Sequence, residues 1–187
     1  YEIYALGEVL DPFEIDECGT SFKQNALIKV RAVHEALKSK NLQSEFFVLS
    51  DDSGICVDAL GGAPGIFSAR FSGSDATDAS NRDKLASELR ALNLDSSPAH
   101  YTAAIALKCA LGEFCTHGFM HGTAITQQRG QNGFGYDFMF IPRGFDRTIG
   151  ELPAAVKFKI SHRTKGLVLM QILLKNLEKQ MRLAKFH

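Results

Sequence analysis

Residues Leu49–Gly73 read LSDDSGICVDALGGAPGIFSARFSG, and the reading of this stretch decides the rest. The apolar run EFFVLS leads into two adjacent aspartates, Asp51 and Asp52, and then into a segment dense in glycine and small residues. This pattern predicts a short buried strand ending at the aspartates, a turn at Ser53-Gly54, renewed strand character in ICVDAL and a break at GGAPG. Adjacent strand residues point to opposite faces, so Asp51 and Asp52 share a target only if the chain turns there. The pair is either a solvated strand end or the chemical centre of an enzyme. Two carboxylates about 4 Å apart repel by about 4 kcal/mol at an effective dielectric near 20. A site that keeps both ionised therefore needs a cation, and Mg²⁺, which takes one or two carboxylates plus substrate phosphates, suits it.

Around this centre the pattern is that of an α/β protein with a mixed sheet flanked by helices. Ser21 and Gln24 form a capping-box pattern opening a helix over 21–40, with Phe22, Ala26, Val30, Val33 and Leu37 as its apolar stripe. Asn25 and Lys29 lie four apart and share another face of that helix. A second helix is predicted over 81–92 with Ser80 as its cap. YTAAIALKC and EFCTHGFMHGTAI read as strands joined at Gly112, and FMFIP as a further strand after the glycine-broken loop RGQNGFGYD. The last helix starts near Ser161, with Leu167, Met170, Leu174, Leu177 and Met181 as its inner seam. No linker divides residues 1–187, which read as a single domain. The opening YEIYAL alternates like a strand, and a chain that begins so at Tyr1 reads as though a preceding piece were missing.

Composition narrows the function classes. With 187 residues, 45% apolar and 22% charged, the chain can build a sizeable core. A formal net charge of +0 gives no global field for nucleic acid. Cys18, Cys56, Cys109 and Cys115 lack metal-binding spacing and read as small buried residues of a reducing compartment. GLVLMQILL is too short to span a bilayer and no signal peptide opens the chain, so a soluble cytoplasmic protein is expected.

Three further features bear on chemistry. Glu17, just before the first long helix, either favours the helix dipole or completes a carboxylate cluster with the aspartates. The GFGYD segment (Gly133–Asp137) puts Phe134 and Tyr136 on a loop, where an aromatic ring can stack on a base. In KISHR (Lys159–Arg163), Ser161, His162 and Arg163 form a first helical turn, read either as a capped, solvated helix start or as an anion or carbonyl-oxygen site.

Taken in order, ECGTSFKQNALIKVRA, SDDSGICVDALGGAPGIFSARFSG, NGFGYDFMFIP and KFKISHR closely resemble the inosine triphosphate pyrophosphatase family, the dITP/XTP diphosphatases, over nearly the whole chain. The resemblance implies an elongated mixed sheet running through two lobes with a cleft between them. It implies Mg²⁺-dependent hydrolysis of ITP, dITP and XTP to monophosphate and pyrophosphate, and a homodimer with no nucleic-acid or membrane partner. By position it implies Asp52 as general base and metal ligand, with Glu17 and Asp51 as the other metal-site carboxylates. Ser53, Phe134, Gly135, Tyr136, Asp137, Lys157, His162 and Arg163 match substrate contacts, to which we add Asn25 and Lys29. Lys157 and Arg163 are donors only and suit the 6-oxo acceptor of hypoxanthine or xanthine.

Two departures stand out. The family's opening strand, Thr-Gly-Asn-x-x-Lys loop and first helix, which bind the triphosphate, are absent from this chain. The expectation is a truncated sequence that, as it stands, is weakly active or inactive. Phe138 stands where the family usually places proline, which leaves the conformation of Asp137 to packing. A Maf-type pyrophosphatase and a non-catalytic nucleotide-binding protein remain as alternatives. FGYD and SHR argue against the first, and the Glu17, Asp51 and Asp52 carboxylates against the second.

Overall fold

The stretch around the aspartates does not end a strand. In the computed structural model, which describes residues 2–184, Val48–Val57 forms one continuous strand, β1, straight through Asp51, Asp52, Ser53 and Gly54. The expected turn is absent because every residue from Val48 to Val57 is paired in register with β2 (Ser96–Cys109), Asp51 opposite Ile105 and Asp52 opposite Ala104. Ladder pairing over ten residues outweighs the weak local bend that Ser-Gly favours. Gly54 is needed for another reason: a Cβ there would lie 2.4 Å from the Gly65 carbonyl oxygen, so the following loop packs directly on the strand.

β2 pairs antiparallel with β3 (Gly112–Ile125), and β3 with the short β4 (Phe140–Pro142), giving the order β1-β2-β3-β4. The α/β class with flanking helices is as expected, but among the described residues every strand pair is antiparallel rather than mixed. FMFIP contributes only its last three residues to the sheet, because Gly135–Met139 coils into a 3₁₀ turn. At the other end, YEIYAL is not a strand: Leu6–Val9 is a single helical turn, α1, and Tyr1 lies outside the described residues.

Helices cover both faces of the sheet. α2 (Phe22–Ser39) starts where predicted, with Ser21 Oγ accepting from the Gln24 N–H at 3.2 Å. The Gln24 side chain accepts from the backbone and hydroxyl of Thr20 instead of closing the box on Ser21. Its inner residues Ala26, Val30 and Leu37 pack with Val48, Ala104 and Ala106. On the opposite face α5 (His162–Ala184) sets Met170 and Leu177 against Ala103, Ile105 and Leu107. Of its expected seam, Leu167 is exposed and belongs to the cleft described below. Alanines on β2 let both helices come close. Gly118 on β3 does the same for α5: a Cβ there would lie 2.0 Å from the His162 carbonyl oxygen.

Two helices depart from expectation. α3 spans Asp78–Ala91 and is capped by Thr77, which accepts from the Ser80 N–H, so Ser80 is the third helical residue and not the cap. A separate helix, α4 (Ala154–Ile160), precedes α5 and carries Lys157. A second core, containing Ile55, Val57, Leu85, Leu89, Tyr101 and Phe140, joins α3 to the far end of the sheet. Of the cysteines expected to be buried, only Cys109 is; Cys18 is exposed and Cys56 and Cys115 are half-buried. Among the described residues no helix is long and apolar enough to cross a membrane.

Candidate active site

Because β1 runs straight, its two aspartates serve opposite faces. Asp52 lies on the α2 side. Its Oδ1 accepts from Lys29 Nζ at 3.0 Å, and the same ammonium lies 2.9 Å from Glu17 Oε2 and 3.0 Å from the Asp51 backbone oxygen. Lys29 thus holds two carboxylates from different parts of the chain to one point. The other oxygen of Asp52, Oδ2, is buried with no hydrogen-bond partner. Burial raises the pKa of Asp52 and the neighbouring Glu17 adds to the rise, while Lys29 opposes it. For Lys29, burial favours deprotonation, but hydrogen bonds to Glu17 and Asp52 outweigh it and hold the pKa above its ordinary value. Asn25, placed among the candidate substrate contacts, is instead fully buried, its Oδ1 accepting from the Gly19 N–H at 2.8 Å. It ties down the segment that carries Glu17.

Asp51 faces the α5 side. Its Oδ2 accepts from Arg163 Nε at 2.6 Å, and its Oδ1 accepts from the Ser53 hydroxyl. The strand therefore separates Asp51 from the Glu17–Asp52 pair instead of gathering three carboxylates. Among the described residues no group of three or more His, Cys, Asp or Glu side chains is placed to hold a metal ion. The donor set that remains, two carboxylates with one buried oxygen atom unpartnered, fits Mg²⁺ completed by substrate oxygens.

On the Asp51 side opens a cleft of about 510 Å³. Ser53, Phe134, Gly135, Tyr136, Asp137, Lys157, His162 and Arg163 all line it. Phe134 is 57% exposed at its mouth, with Lys157 Nζ 4.1 Å and Arg163 Cζ 5.7 Å from its ring centroid. Asp137 is buried and fixes this arrangement: its Oδ2 accepts from the Phe134 N–H at 2.9 Å and from Lys157 Nζ. The Tyr136 hydroxyl donates to the Ser68 carbonyl at 2.8 Å, and burial pushes its pKa up.

His162 forms the cleft's inner wall, stacked on Tyr101 with centroids 4.7 Å apart and planes 11° from parallel. Burial first, and the adjacent Arg163 charge second, lower its pKa to about 3, so the ring is neutral at pH 7. Its Nδ1 is buried and unpartnered, a polar atom aimed where no protein group answers it. Tyr101 carries no sequence signal of its own, since YTAAIALKC reads as core strand. Asp78, Phe158 and Leu167 also line the cleft and were likewise missed.

An antiparallel sheet between helices, with cations and an exposed ring on one side of an acidic strand and a bridged carboxylate pair on the other, defines an α/β protein whose cleft is furnished for a flat polar ring with anionic attachments. The chain belongs to the Ham1 family, whose sequence profile matches residues 1–172. A protein of Campylobacter hominis named dITP/XTP pyrophosphatase is 62% identical over 182 residues, covering 96% of this chain and 88% of its own length. One of the same name from Campylobacter fetus is also 62% identical, over 179 residues with the same coverage. Among solved structures, the Staphylococcus aureus Ham1 protein superposes with a TM-score of 0.84 at 32% identity, covering 94% of this chain and 88% of that one. A HAM1 protein from Coxiella burnetii gives 0.81 at 34% identity, covering 91% and 84%.

Proposed function

We propose that this protein hydrolyses deaminated purine nucleoside triphosphates, namely ITP, dITP and XTP, to the monophosphate and pyrophosphate. The observation that carries the reading is the division of labour along β1, where adjacent carboxylates serve two different sites. On one face Asp51 and Ser53 meet the base-reading Arg163; on the other Asp52 and Glu17 meet Lys29. A nucleotide lying across the strand meets ring-recognising groups at one end and an acidic, proton-accepting centre at the other.

The base end accounts for the rejection of adenine. A ring stacked on Phe134 offers its edge to Lys157 and Arg163, which only donate hydrogen bonds and therefore favour a 6-oxo acceptor. The 6-amino group of adenine would face donors with a donor, and sites built on such bonds discriminate by about 10⁴-fold. Neutral His162 offers an unprotonated or protonated ring nitrogen without adding charge.

At the other end Asp52 would take a proton from the attacking water. Glu17 and Asp52 would hold Mg²⁺, which when bound neutralises charge on the phosphate oxygens. Lys29 keeps the two carboxylates together. The protein would act in the cytoplasm, as a homodimer whose mass sedimentation of the purified protein checks.

The decisive experiment is pyrophosphate release by the full-length protein from ITP, XTP, dITP, GTP and dTTP, with and without Mg²⁺. Release confined to the deaminated purines and dependent on Mg²⁺ is expected. A preference for dTTP would replace this reading with a Maf-type specificity. No release from any substrate would reduce the protein to nucleotide binding.

A further inference from the structure

The loop that presents Phe134 is held by Tyr136 on Ser68 and by Asp137 on Lys157, and its tie to α3 is made at Gly135. Gly135 sits at φ +56, with nothing within 4 Å of where its Cβ would be, so packing does not fix it. Both of its backbone hydrogen-bonding groups are instead taken up by side chains of α3. The Gly135 N–H donates to Asp78 Oδ2 at 2.8 Å, and its carbonyl accepts from Arg82 Nη1 at 3.0 Å. Asp78 and Arg82 are four apart and so share a helix face. We propose that they form a two-point clamp that positions the aromatic loop for the base, which makes them positioning residues for the reaction proposed above, on which this inference rests.

Each member is free of the tasks its position in α3 would otherwise give it, or is braced for this one. Asp78 is not the cap of α3, because Thr77 and Ser80 satisfy one another there. Its carboxylate is free to reach across to the loop. The Arg82 guanidinium is itself pinned: Nε donates to Gln128 Oε1 at 2.7 Å, and the group lies 4.7 Å over the Phe138 ring. Gln128 in turn donates to Asp83 at 3.1 Å. The platform beneath is rigid, since Leu85 and Leu89 of α3 are fully buried and Asn81 accepts from the Ser72 N–H at 2.8 Å. A site is held best by residues locked onto such an element. Phe138 therefore contributes through its stack with Arg82, which closes the loop from its C-terminal side.

The consequence is preorganisation. With the clamp intact, the Gly135 peptide beside Phe134 is set before the base arrives; without it, that peptide must be ordered on binding and affinity falls. The chemistry at Asp52, on the other face of β1, is untouched. Loss of the clamp should therefore raise KM and leave kcat almost unchanged.

The test compares Asp78→Ala, Asp78→Asn and Arg82→Gln in the full-length protein, assayed with ITP and followed by amide hydrogen exchange of residues 133–138. Loss of one such bond is expected to raise KM about tenfold in Asp78→Ala, with kcat within about twofold. Exchange at Gly135 should accelerate by a similar factor. Asp78→Asn retains an acceptor for the Gly135 N–H and should stay within about threefold of wild type on both measures. Arg82→Gln provides the same reading should Asp78→Ala fold poorly. Unchanged KM and unchanged Gly135 exchange in Asp78→Ala and Arg82→Gln would overturn the clamp, as would a fall in kcat at constant KM. If wild type releases no pyrophosphate, the functional reading fails, while Gly135 exchange still decides the clamp.

Discussion

Asp51 and Asp52 are chain neighbours whose carboxylates point to opposite faces of β1, one accepting from Arg163 Nε at 2.6 Å and the other from Lys29 Nζ at 3.0 Å. In the proposed reaction, base recognition and water activation would thus be separated by the thickness of one strand and joined by a single peptide bond.

Their substitutions should differ in kind. Asp51→Asn weakens the hold on Arg163 and should raise KM for ITP about tenfold, with the Mg²⁺ concentration for half-activation unchanged. Asp52→Asn removes the proposed proton acceptor and should lower kcat by about 10²-fold or more. Steady-state kinetics with a Mg²⁺ titration distinguish the two. An Asp52→Asn enzyme with undiminished turnover would remove Asp52 from the catalytic role.

Lys29→Met leaves two partly buried carboxylates without the cation between them. We expect a loss of about 1–3 kcal/mol in stability, read by urea unfolding in chelator. Millimolar Mg²⁺ should stabilise this variant more than wild type, because the ion replaces the missing charge. Equal Mg²⁺ stabilisation of both would argue against a cation at Glu17 and Asp52.

His162 makes stability pH-dependent. Its folded pKa, about 3, lies below the unfolded value of 6.5, so between these limits the unfolded chain binds a proton that the native state refuses. Its contribution is complete above pH 6.5 and is lost as pH falls towards 3, at up to about 1.4 kcal/mol per pH unit. Urea unfolding of wild type and His162→Gln from pH 7 to 4 should show a shallower acid limb in the variant. Parallel limbs would contradict it.

Gly118→Ala places a methyl group 2.0 Å from the His162 carbonyl, where neither β3 nor the first turn of α5 can give way cheaply. A loss of about 3 kcal/mol in thermal or urea unfolding is expected, with a raised KM because His162 and Arg163 move with the helix start.

Arg163→Ala should erode the preference for ITP over ATP by removing a donor that adenine cannot match. The ratio of kcat/KM values for the two nucleotides measures it.

The long helices and the two central strands were legible because each carries its own periodic signal: Ala26, Val30 and Leu37 repeat at helical spacing, and Ser21 announces the start of α2. The DDSG, FGYD and SHR motifs pointed to the cleft residues through their resemblance to the inosine triphosphate pyrophosphatase family, since each alone also reads as ordinary strand end, loop or helix start. Boundaries set by distant partners were not legible. α3 begins at Asp78 because Thr77 and Ser80 satisfy each other, although apolar periodicity begins only at Leu85. Tyr101 reads as core until His162, brought from the far end of the chain, stacks on it.

By itself the sequence determined which residue types would meet: carboxylates, donor-only cations and an aromatic loop, held in a helix-flanked sheet. Only the tertiary structure decided how they divide. A local turn would have aimed Asp51 and Asp52 at one ion. Pairing of all ten residues of β1 with β2 keeps the strand straight, and a straight strand must send neighbouring side chains to opposite sides.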